Sequence, residues 1–259
     1  MTLLAQARGW RWGPPVLVTG ALLLAWEAYC RTAGISPVVL PAPSRIVEQL
    51  WIFRGDAVRH AVPTLIETAV GLAVSIVVSI IAAVAMDRFV TVRRALQPLI
   101  VASQTVPVVA IAPLLVLWFG FGLGPKVLIV VLVTFFPITI ALLDGFAATT
   151  VDATDLLRSF GARRLQVFGL LRWPAALPSF FTGLRIAATY GVIGAVFGEY
   201  VGAYEGLGIW MQVSQNAFRT DLVFAAILLS AALSIGLFGL VQMAERVLIP
   251  WHRAARAAR

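Results

Sequence analysis

The residues of this chain whose types and spacing could do chemistry are charged groups placed among long apolar stretches. One set forms an insert, residues 152–178, which carries two acids and four arginines and contains two prolines. A second set lies within or beside apolar segments and consists of Glu27, Glu67, Asp144, Arg185 and Glu199. Ionisable side chains inside a membrane are costly, so each is a candidate for an ion pair or for a place on a solute or proton path.

Bond-making chemistry has no support in the sequence. There is no G-x-S-x-G nucleophile motif, no H-E-x-x-H pair and no G-x-x-x-x-G-K-[ST] phosphate loop. His60 and His252 are far apart, and the one cysteine, Cys30, cannot form a disulfide within the chain. We therefore expect no catalytic residue, no metal site and no bound cofactor, and a membrane enzyme lacks the residues it would need.

The composition is that of an integral membrane protein. The chain has 259 residues, of which 60% are hydrophobic and 12% are charged, and its mean hydropathy is +0.93. A soluble domain carries about 25% charged residues. The net charge of +8 does not indicate nucleic-acid binding, because the arginines lie between apolar segments and not on one face. We expect an all-α membrane protein with a single domain over residues 1–259.

Six membrane-spanning helices are predicted, because a span needs about 20 mainly apolar residues. Arg8 and Arg11 precede the first span as in a signal peptide, but no small-residue cleavage site follows, so we interpret it as uncleaved. Pro98, Pro107 and Pro113 predict that the third span is kinked or partly unwound. The approximate ranges are 14–29, 65–86, 96–119, 127–143, 180–201 and 222–241.

The distribution of Lys and Arg predicts the orientation. Thirteen of these residues lie in the N-terminus, the 87–94 turn, the insert and the C-terminus, whereas six lie in the 31–62 segment and the remaining loops. Basic residues are enriched in cytoplasmic loops. We therefore expect a multi-pass protein of a bacterial inner membrane, with both termini and the insert in the cytoplasm and the 31–62 segment in the periplasm.

The insert begins with a predicted amphipathic helix. Leu156, Leu157 and Phe160 fall on one helical face, with Asp155 and Arg158 turned away from it. This pattern is typical of a helix that lies along a membrane or against a partner protein.

Gly161 is placed to end this helix, since glycine favours the left-handed conformation that follows a helix C-terminus. A second amphipathic helix, about 163–171, is predicted to lead to Pro174 and Pro178. The insert is thus a helix–glycine–helix hairpin between the fourth and fifth spans. From the residues alone, an interfacial helix pair anchored by arginines explains it as well as a docking element does.

The insert resembles the cytoplasmic EAA-type loop of binding-protein-dependent ABC importer permeases. In that loop an acidic residue and two small or apolar residues are followed, after three more positions, by Gly-Ala and then by a proline. Aspartate stands here for the loop's glutamate, and two leucines stand for its two alanines. The matching residues are Asp155, Leu156, Leu157, Gly161, Ala162 and Pro174. The resemblance implies that this helix, with Arg158, couples the chain to a groove of a separate ATPase subunit within residues 152–172.

Two further stretches resemble the nitrate/sulfonate/taurine branch of that family. One is the third-span signature between Ser103 and Lys126, and the other is the Leu-Pro-Ala-Pro-Ser run at 40–44. Ser44 in this run is expected to cap a short helix that ends near Phe53. With the insert, the resemblance covers roughly residues 14–248.

The resemblance implies an ABC type I importer-like permease fold and a set of partners. These are a second copy of the chain in a homodimer, two ATPase subunits that bind ATP and Mg²⁺, and an extracytoplasmic binding protein that delivers a small solute. Branch resemblance implies a sulfonate, taurine or nitrate-like anion. The 219–226 segment instead resembles relatives that carry thiamine-pyrimidine precursors or similar heteroaromatics. The rival hypothesis is a proton- or ion-coupled secondary carrier or channel.

Candidate pathway residues lie in the third and fifth spans. Gln104 and Thr105 stand beside a proline that interrupts the third span, and Glu199 and Tyr200 stand near the outer end of the fifth, where they would line a gate. Structural packing explains Glu199 equally well, because the glycines of this span allow close helix contact. We interpret Glu27, Glu67 and Asp144 as interfacial. Arg185 is expected to pair with an acid or carbonyl of the insert.

Overall fold

The chain is helical throughout the residues that the structure, a computed structural model, describes, which are 13–251. No strand is present within that range. In chain order the helices are α1 (Gly13–Thr32), α2 (Pro43–Ile52), α3 (Arg54–Arg88), α4 (Val90–Ser103), α5 (Val108–Phe119), α6 (Leu123–Ala147), α7 (Val151–Ser159), α8 (Arg164–Val167), α9 (Trp173–Gly202), α10 (Leu207–Asn216) and α11 (Thr220–Leu248), with a π-helical turn, Phe168–Arg172, between α8 and α9.

Four helices within the described range are long and apolar enough to cross a membrane. They are Arg54–Arg88, Leu123–Ala147, Arg164–Gly202 and Thr220–Leu248, and they contain the second, fourth, fifth and sixth predicted spans. The first predicted span forms α1, which is not among them. The six-span topology stays a prediction, as does the orientation, which drew partly on Arg8, Arg11 and the C-terminal arginines outside the described residues.

The third predicted span is broken, as its prolines indicated. Taken together, α4 and α5 are also long and apolar enough to cross a membrane, but the two helix axes differ by 101° because the helix is broken at residues 104–107. Pro107 precedes the first residue of α5 and has no backbone N–H to continue the ladder of α4. The pair is therefore either one interrupted span or a re-entrant segment, and with it the described residues hold up to five spans.

Within the described residues the chain divides into two compact units, one formed by 13–58 and Trp210–Leu228 and the other by Arg59–Ile209 and 229–251. In the first, the Glu27 carboxylate accepts bonds from the Ser44 amide (3.0 Å) and hydroxyl (2.7 Å) and pairs with Arg31 at 2.6 Å. Ser44 is thus not the cap of α2. That helix begins at Pro43 after Ala42, because proline suits the first helical position.

The core of the second unit is the packing of α6 against α9. Glycines allow this approach: a methyl group at Gly183 would lie 2.5 Å from the carbonyl oxygen of Pro137, and one at Gly194 would lie 2.8 Å from a methyl of Val133. Ile138 and Phe146 of α6 are almost completely buried beside these contacts. The small-residue face predicted for the fifth span is the face that α6 covers.

Replacing Gly183 with alanine is expected to destabilise the protein by about 1–3 kcal/mol, because the new methyl group meets backbone and not a movable side chain. The measurement is the thermal unfolding midpoint of the purified chain in detergent. Gly239→Ala is the matched control, since a methyl group there meets nothing within 4 Å. Equal midpoints for the two variants would contradict this packing.

The hairpin differs from its prediction at the second helix. Instead of a separate helix over 163–171, α8 continues through the π-helical turn into α9 as one 39-residue helix, Arg164–Gly202. Pro174 lies just after this π-helical turn, inside the continuous helix. The wider π-helical turn before it explains why the proline does not end the helix.

Candidate functional site

The first helix of the insert, α7, has well-defined ends. The Thr150 hydroxyl accepts the Ala153 N–H at 3.4 Å at its start. At its end Gly161 has φ +84°, and the Ala162 N–H donates to the Leu157 carbonyl at 3.1 Å. This is the Schellman arrangement, which satisfies carbonyls that the helix leaves free. Gly161 occupies the helix-ending position that the sequence predicted.

Several apolar side chains of the insert are exposed. Phe160 is 80% exposed, Leu165 is 85% exposed, and Val151 and Leu156 are also exposed. Leu157, predicted on the same face, is half-buried. We call Leu156 and Phe160 the outer face of the insert, since Val151 and Leu165 line the groove described next. Large apolar groups this exposed outside a membrane span are typical of a protein interaction surface.

The opposite side of α7 lines a groove of about 660 Å³. Asp155 and Arg158, which form an exposed ion pair at 3.3 Å, lie on its wall together with Arg164. Val151 of α7 also lines this groove and Leu157 is half-buried, so the predicted separation of apolar and polar faces along α7 is only partial. Asp155 and Arg158 face the C-terminal end of α3 across this groove, whereas Leu156 and Phe160 are exposed.

Arg172 fixes the insert to the helices beneath it. Its guanidinium pairs with Asp87 of α3 at 2.7 Å and donates to the Phe146 carbonyl at 3.3 Å. The Phe168 ring packs against the Phe146 ring with 5.5 Å between centroids. The ends of α3 and α6 and the π-helical turn are thus joined at one point.

Arg185 forms an ion pair, but its partner is not in the insert. Its guanidinium lies 3.1 Å from the Glu245 carboxylate of α11 and over the ring of Phe238. The predicted partner was wrong because the guanidinium turns toward the last helix. The signal in the sequence was Glu245 itself, an acid near the C-terminal end of the mainly apolar α11.

A buried network, which could not be inferred from the sequence, joins α3 and α9 to the start of α10. The Glu199 carboxylate, with no exposed surface, accepts the Thr64 hydroxyl at 2.5 Å and the Gly208 N–H at 2.6 Å. The Thr64 oxygen in turn accepts the Leu207 N–H at 2.9 Å. These bonds satisfy two N–H groups at the start of α10 with side chains from α3 and α9.

Glu67 and Lys126 form a buried ion pair beside this network. The ammonium lies 2.5 Å from one Glu67 oxygen, and the side chains are 4% and 10% exposed. The second Glu67 oxygen is buried and has no partner among the described residues, and the Glu199 carboxyl adjoins the pair. Glu67 was predicted to be interfacial, but its side chain is buried. Lys126, which the sequence placed in a loop, compensates its charge.

The predicted gate pair is separated by these contacts. Glu199 is enclosed among protein groups, which fits the packing alternative of the sequence analysis, whereas Tyr200 is half-buried. A methyl group at Gly206 would lie 2.2 Å from the Glu199 carboxyl carbon, and Gly206 has φ +134°. The backbone of this turn thus touches the carboxyl group, and a pathway role for Tyr200 stays a prediction.

A second cavity, of about 690 Å³, lies beside the broken third span. Gln104 lies at the break and lines it, with Val108 of α5. The other walls are the exposed stripe of α9 and the facing side of α6. Thr105 does not line it, and its hydroxyl donates to the Ala102 carbonyl at 2.8 Å. Of the four predicted pathway residues, only Gln104 is on this cavity.

The family model of binding-protein-dependent transport system inner membrane components matches residues 75–249, which is more than half of the chain. A formylaminopyrimidine transport permease protein of Halalkalibacterium halodurans is 41% identical over 240 residues, 92% of this chain and 96% of that protein. A probable ABC transporter permease protein of Haemophilus influenzae is 38% identical over 86% of this chain and 91% of that protein.

Similarity extends to relatives with other names and to a solved structure. A taurine transport system permease protein of Escherichia coli is 32% identical, covering 94% of this chain and 93% of that protein. A chain of the inward-facing MetNI methionine ABC transporter has a TM-score of 0.62 at 17% identity, covering 78% of this chain and 97% of that chain. The latter similarity concerns the fold alone.

The family match includes the insert, the broken third span and the α6–α9 packing, and the relatives match over nearly their whole length. Relatives of this kind are permease subunits without an ATPase site of their own, so a separate subunit hydrolyses ATP. The chain belongs to the family of binding-protein-dependent transport system inner membrane components and is a multi-pass membrane permease subunit of the ABC transporter type.

Proposed function

We propose that this chain forms the membrane pathway of an ATP-driven importer as a homodimer. Two ATPase subunits dock on the two inserts and bind ATP and Mg²⁺, and an extracytoplasmic binding protein delivers the solute. Both termini lie in the cytoplasm, and α1 serves as the first of six spans. The homodimer follows from the chain having no internal duplication, while a pathway in this family needs two such subunits.

The observation that carries the docking proposal is the outer face of the insert. Leu156 and Phe160 are 58% and 80% exposed, on a segment that Arg172 ties to α3. An apolar surface in the cytoplasm is stable only if something covers it. Since the family couples to separate ATP-binding subunits, an ATPase groove is the partner that fits.

Transmission through the insert requires that ATP favour one arrangement of the bundle over another. A ligand shifts an equilibrium only by its differential affinity for the two states. In the proposed cycle, ATP closes the ATPase pair and draws the two inserts together. The Arg172–Asp87 contact and the Phe146–Phe168 packing pass this movement to α3 and α6 and turn the pathway outward.

The solute is a small molecule of one of two classes. The first is a sulfonate, taurine or nitrate-like anion, in line with the taurine relative. The second is a heteroaromatic such as a thiamine-pyrimidine precursor, in line with the formylaminopyrimidine relative. Gln104 is the proposed pathway residue with the best support, because it lines the cavity at the helix break.

A proton- or ion-coupled secondary carrier is not favoured. Family membership ties the chain to ATP-binding subunits, and two of the carboxylates that such a carrier could use are engaged within the protein. Glu67 pairs with Lys126, and Glu199 holds the start of α10. An ion path through them would first have to break these contacts.

The test replaces the outer face while leaving the fold alone. Phe160→Asp with Leu156→Asp is expected to abolish both co-purification of the ATPase and ATP-dependent uptake in proteoliposomes, because two charges cannot enter an apolar groove. Tyr204→Asp is the matched control, since this aromatic is 88% exposed outside the insert. Normal ATPase binding by the double variant would refute docking through this face.

A further inference from the structure

We propose that the 690 Å³ cavity beside the broken span binds an uncharged or cationic planar heteroaromatic solute and not an anion. The inference rests on the proposed transport function and concerns the same pathway. Its basis is the chemistry of the cavity walls in the described residues, independent of what any relative carries. It identifies the second of the two solute classes as the one that this chain accommodates.

The cavity has the position and size of a solute site. Its volume lies within the roughly 300–1,000 Å³ of small-molecule pockets. On α9 its wall is a stripe at helical spacing that includes Ile186, Tyr190, Ile193 and Phe197, all at least 38% exposed, while the opposite side of α9 packs on α6. Interrupted helices at membrane depth are tolerated where they line such a cavity, as Gln104 does here.

The charge on the walls disfavours an anion. Among the lining residues, Asp144 is the one acid, and there is no lysine or arginine. The N-terminus of α5 adjoins the cavity at Val108 and contributes about half a positive charge, which is smaller than the full negative charge of a carboxylate. A sulfonate or nitrate would meet net repulsion here, whereas an uncharged or cationic solute would not.

One cation approaches the cavity from outside, and its charge is already compensated. The Arg185 guanidinium donates to the Thr182 hydroxyl at 3.2 Å, and Thr182 lines the cavity. The same guanidinium pairs with Glu245 at 3.1 Å. The Thr182 hydroxyl also donates to the Pro178 carbonyl at 3.0 Å. Arg185 therefore orients a wall residue and provides no free positive charge.

Aromatic faces and unpaired polar groups on the walls fit a flat ring with polar edges. Phe136, Tyr190 and Phe197 offer ring surfaces on which a heterocycle can stack. The side chains of Gln104, Asp144 and Tyr190 line the cavity without a hydrogen bond to other described residues. Together they supply donors and acceptors for ring nitrogens, carbonyls and amino groups.

The competing occupant is a surface of the second copy. A purely apolar stripe would suit such contact, because dimer interfaces resemble protein cores. Burying the unpaired Asp144 carboxylate against another protein chain would instead leave a charge without a partner, at high cost. A solute site that stays hydrated between transport events avoids this cost, so the solute is the occupant we infer.

The experiment measures solute binding to the purified permease–ATPase complex without a binding protein. The probes are formylaminopyrimidine, riboflavin and taurine, applied by equilibrium dialysis with radiolabelled compounds. We expect at least one ring compound to bind and taurine not to bind. Tyr190→Ala should weaken ring binding about tenfold through lost stacking. Tyr204→Ala, an exposed tyrosine outside the cavity, should leave it unchanged.

Three outcomes would overturn the inference. Taurine binding in preference to both ring compounds would reverse the charge argument. Unchanged ring affinity in Tyr190→Ala would remove the cavity from the site. A change in oligomeric mass by light scattering in Tyr190→Ala, without a change in affinity, would assign the cavity to the second copy. Binding of a ring compound without its ATP-driven uptake would instead refute the proposed transport function. It would leave the inference about the solute class of the cavity unchanged.

Discussion

Replacing Gly161 with proline is expected to abolish ATP-driven uptake while the spans remain folded. Gly161 has φ +84°, and its N–H donates to the Arg158 carbonyl at 2.8 Å. Proline fixes φ near −65° and has no N–H, so it can satisfy neither condition. The end of α7 must unwind, and the outer face of the insert loses its geometry. The readout is uptake by proteoliposomes that contain the permease and its ATPase.

Two comparisons isolate the conformational cause in this experiment. Gly161→Ala keeps the N–H but is strained at positive φ by about 1–2 kcal/mol, so it should reduce uptake without abolishing it. Gly236→Ala is the neutral control, because a methyl group there has nothing within 4 Å. Full uptake by the proline variant, at normal protein levels, would show that the turn does not transmit ATP energy.

Breaking the Glu67–Lys126 pair is expected to produce the largest loss of stability in the chain. Lys126→Met leaves a carboxylate buried without its partner, and removing one member of a buried pair costs about 3–5 kcal/mol. In a protein of this size that corresponds to a lowering of the melting temperature on the order of 10 °C. The measurement is thermal unfolding of the purified permease in detergent.

The double variant Glu67→Gln with Lys126→Met separates charge from packing. With neither charge present, most of the lost stability should return, because no isolated ion is left buried. Arg59→Gln is the matched control. Its pair with Glu205 has the same kind of geometry, at 2.7 Å, but the side chains are 65% and 42% exposed, so its loss should cost less than about 1 kcal/mol. Equal losses at Lys126 and Arg59 would contradict the burial argument.

The features that could be predicted from the sequence are the local ones. Gly161 ends α7 because a left-handed residue is needed within five positions of Leu157, and that need is visible in a short stretch. Pro107 interrupts the third span for an equally local reason. Gly194 and the other glycines near the end of the fifth span predicted a close helix contact without identifying the partner, since spacing along one helix does not say which neighbour covers it.

The pairings between distant segments could not be predicted. Glu67 meets Lys126 and Arg185 meets Glu245 only because helices far apart in sequence are neighbours in the bundle. Each of these residues alone resembles a group at a membrane surface, so Glu67 was placed at the interface. The role of Glu199, in a gate or in packing, could not be decided for the same reason. Its partners, the Thr64 hydroxyl and the Gly208 N–H, are provided by tertiary packing.

The π-helical turn at Phe168–Arg172 shifts the phase of the longest helix in the chain. Such a turn holds about one residue more than an α-helical turn, and one residue corresponds to about 100° of rotation. A helical wheel that treats α8 and α9 as one regular α-helix therefore gives the side chains of α8 directions that are wrong by about this angle. Two relatives of equal length can share a bundle yet aim their inserts in different directions, if only one of them has this extra residue.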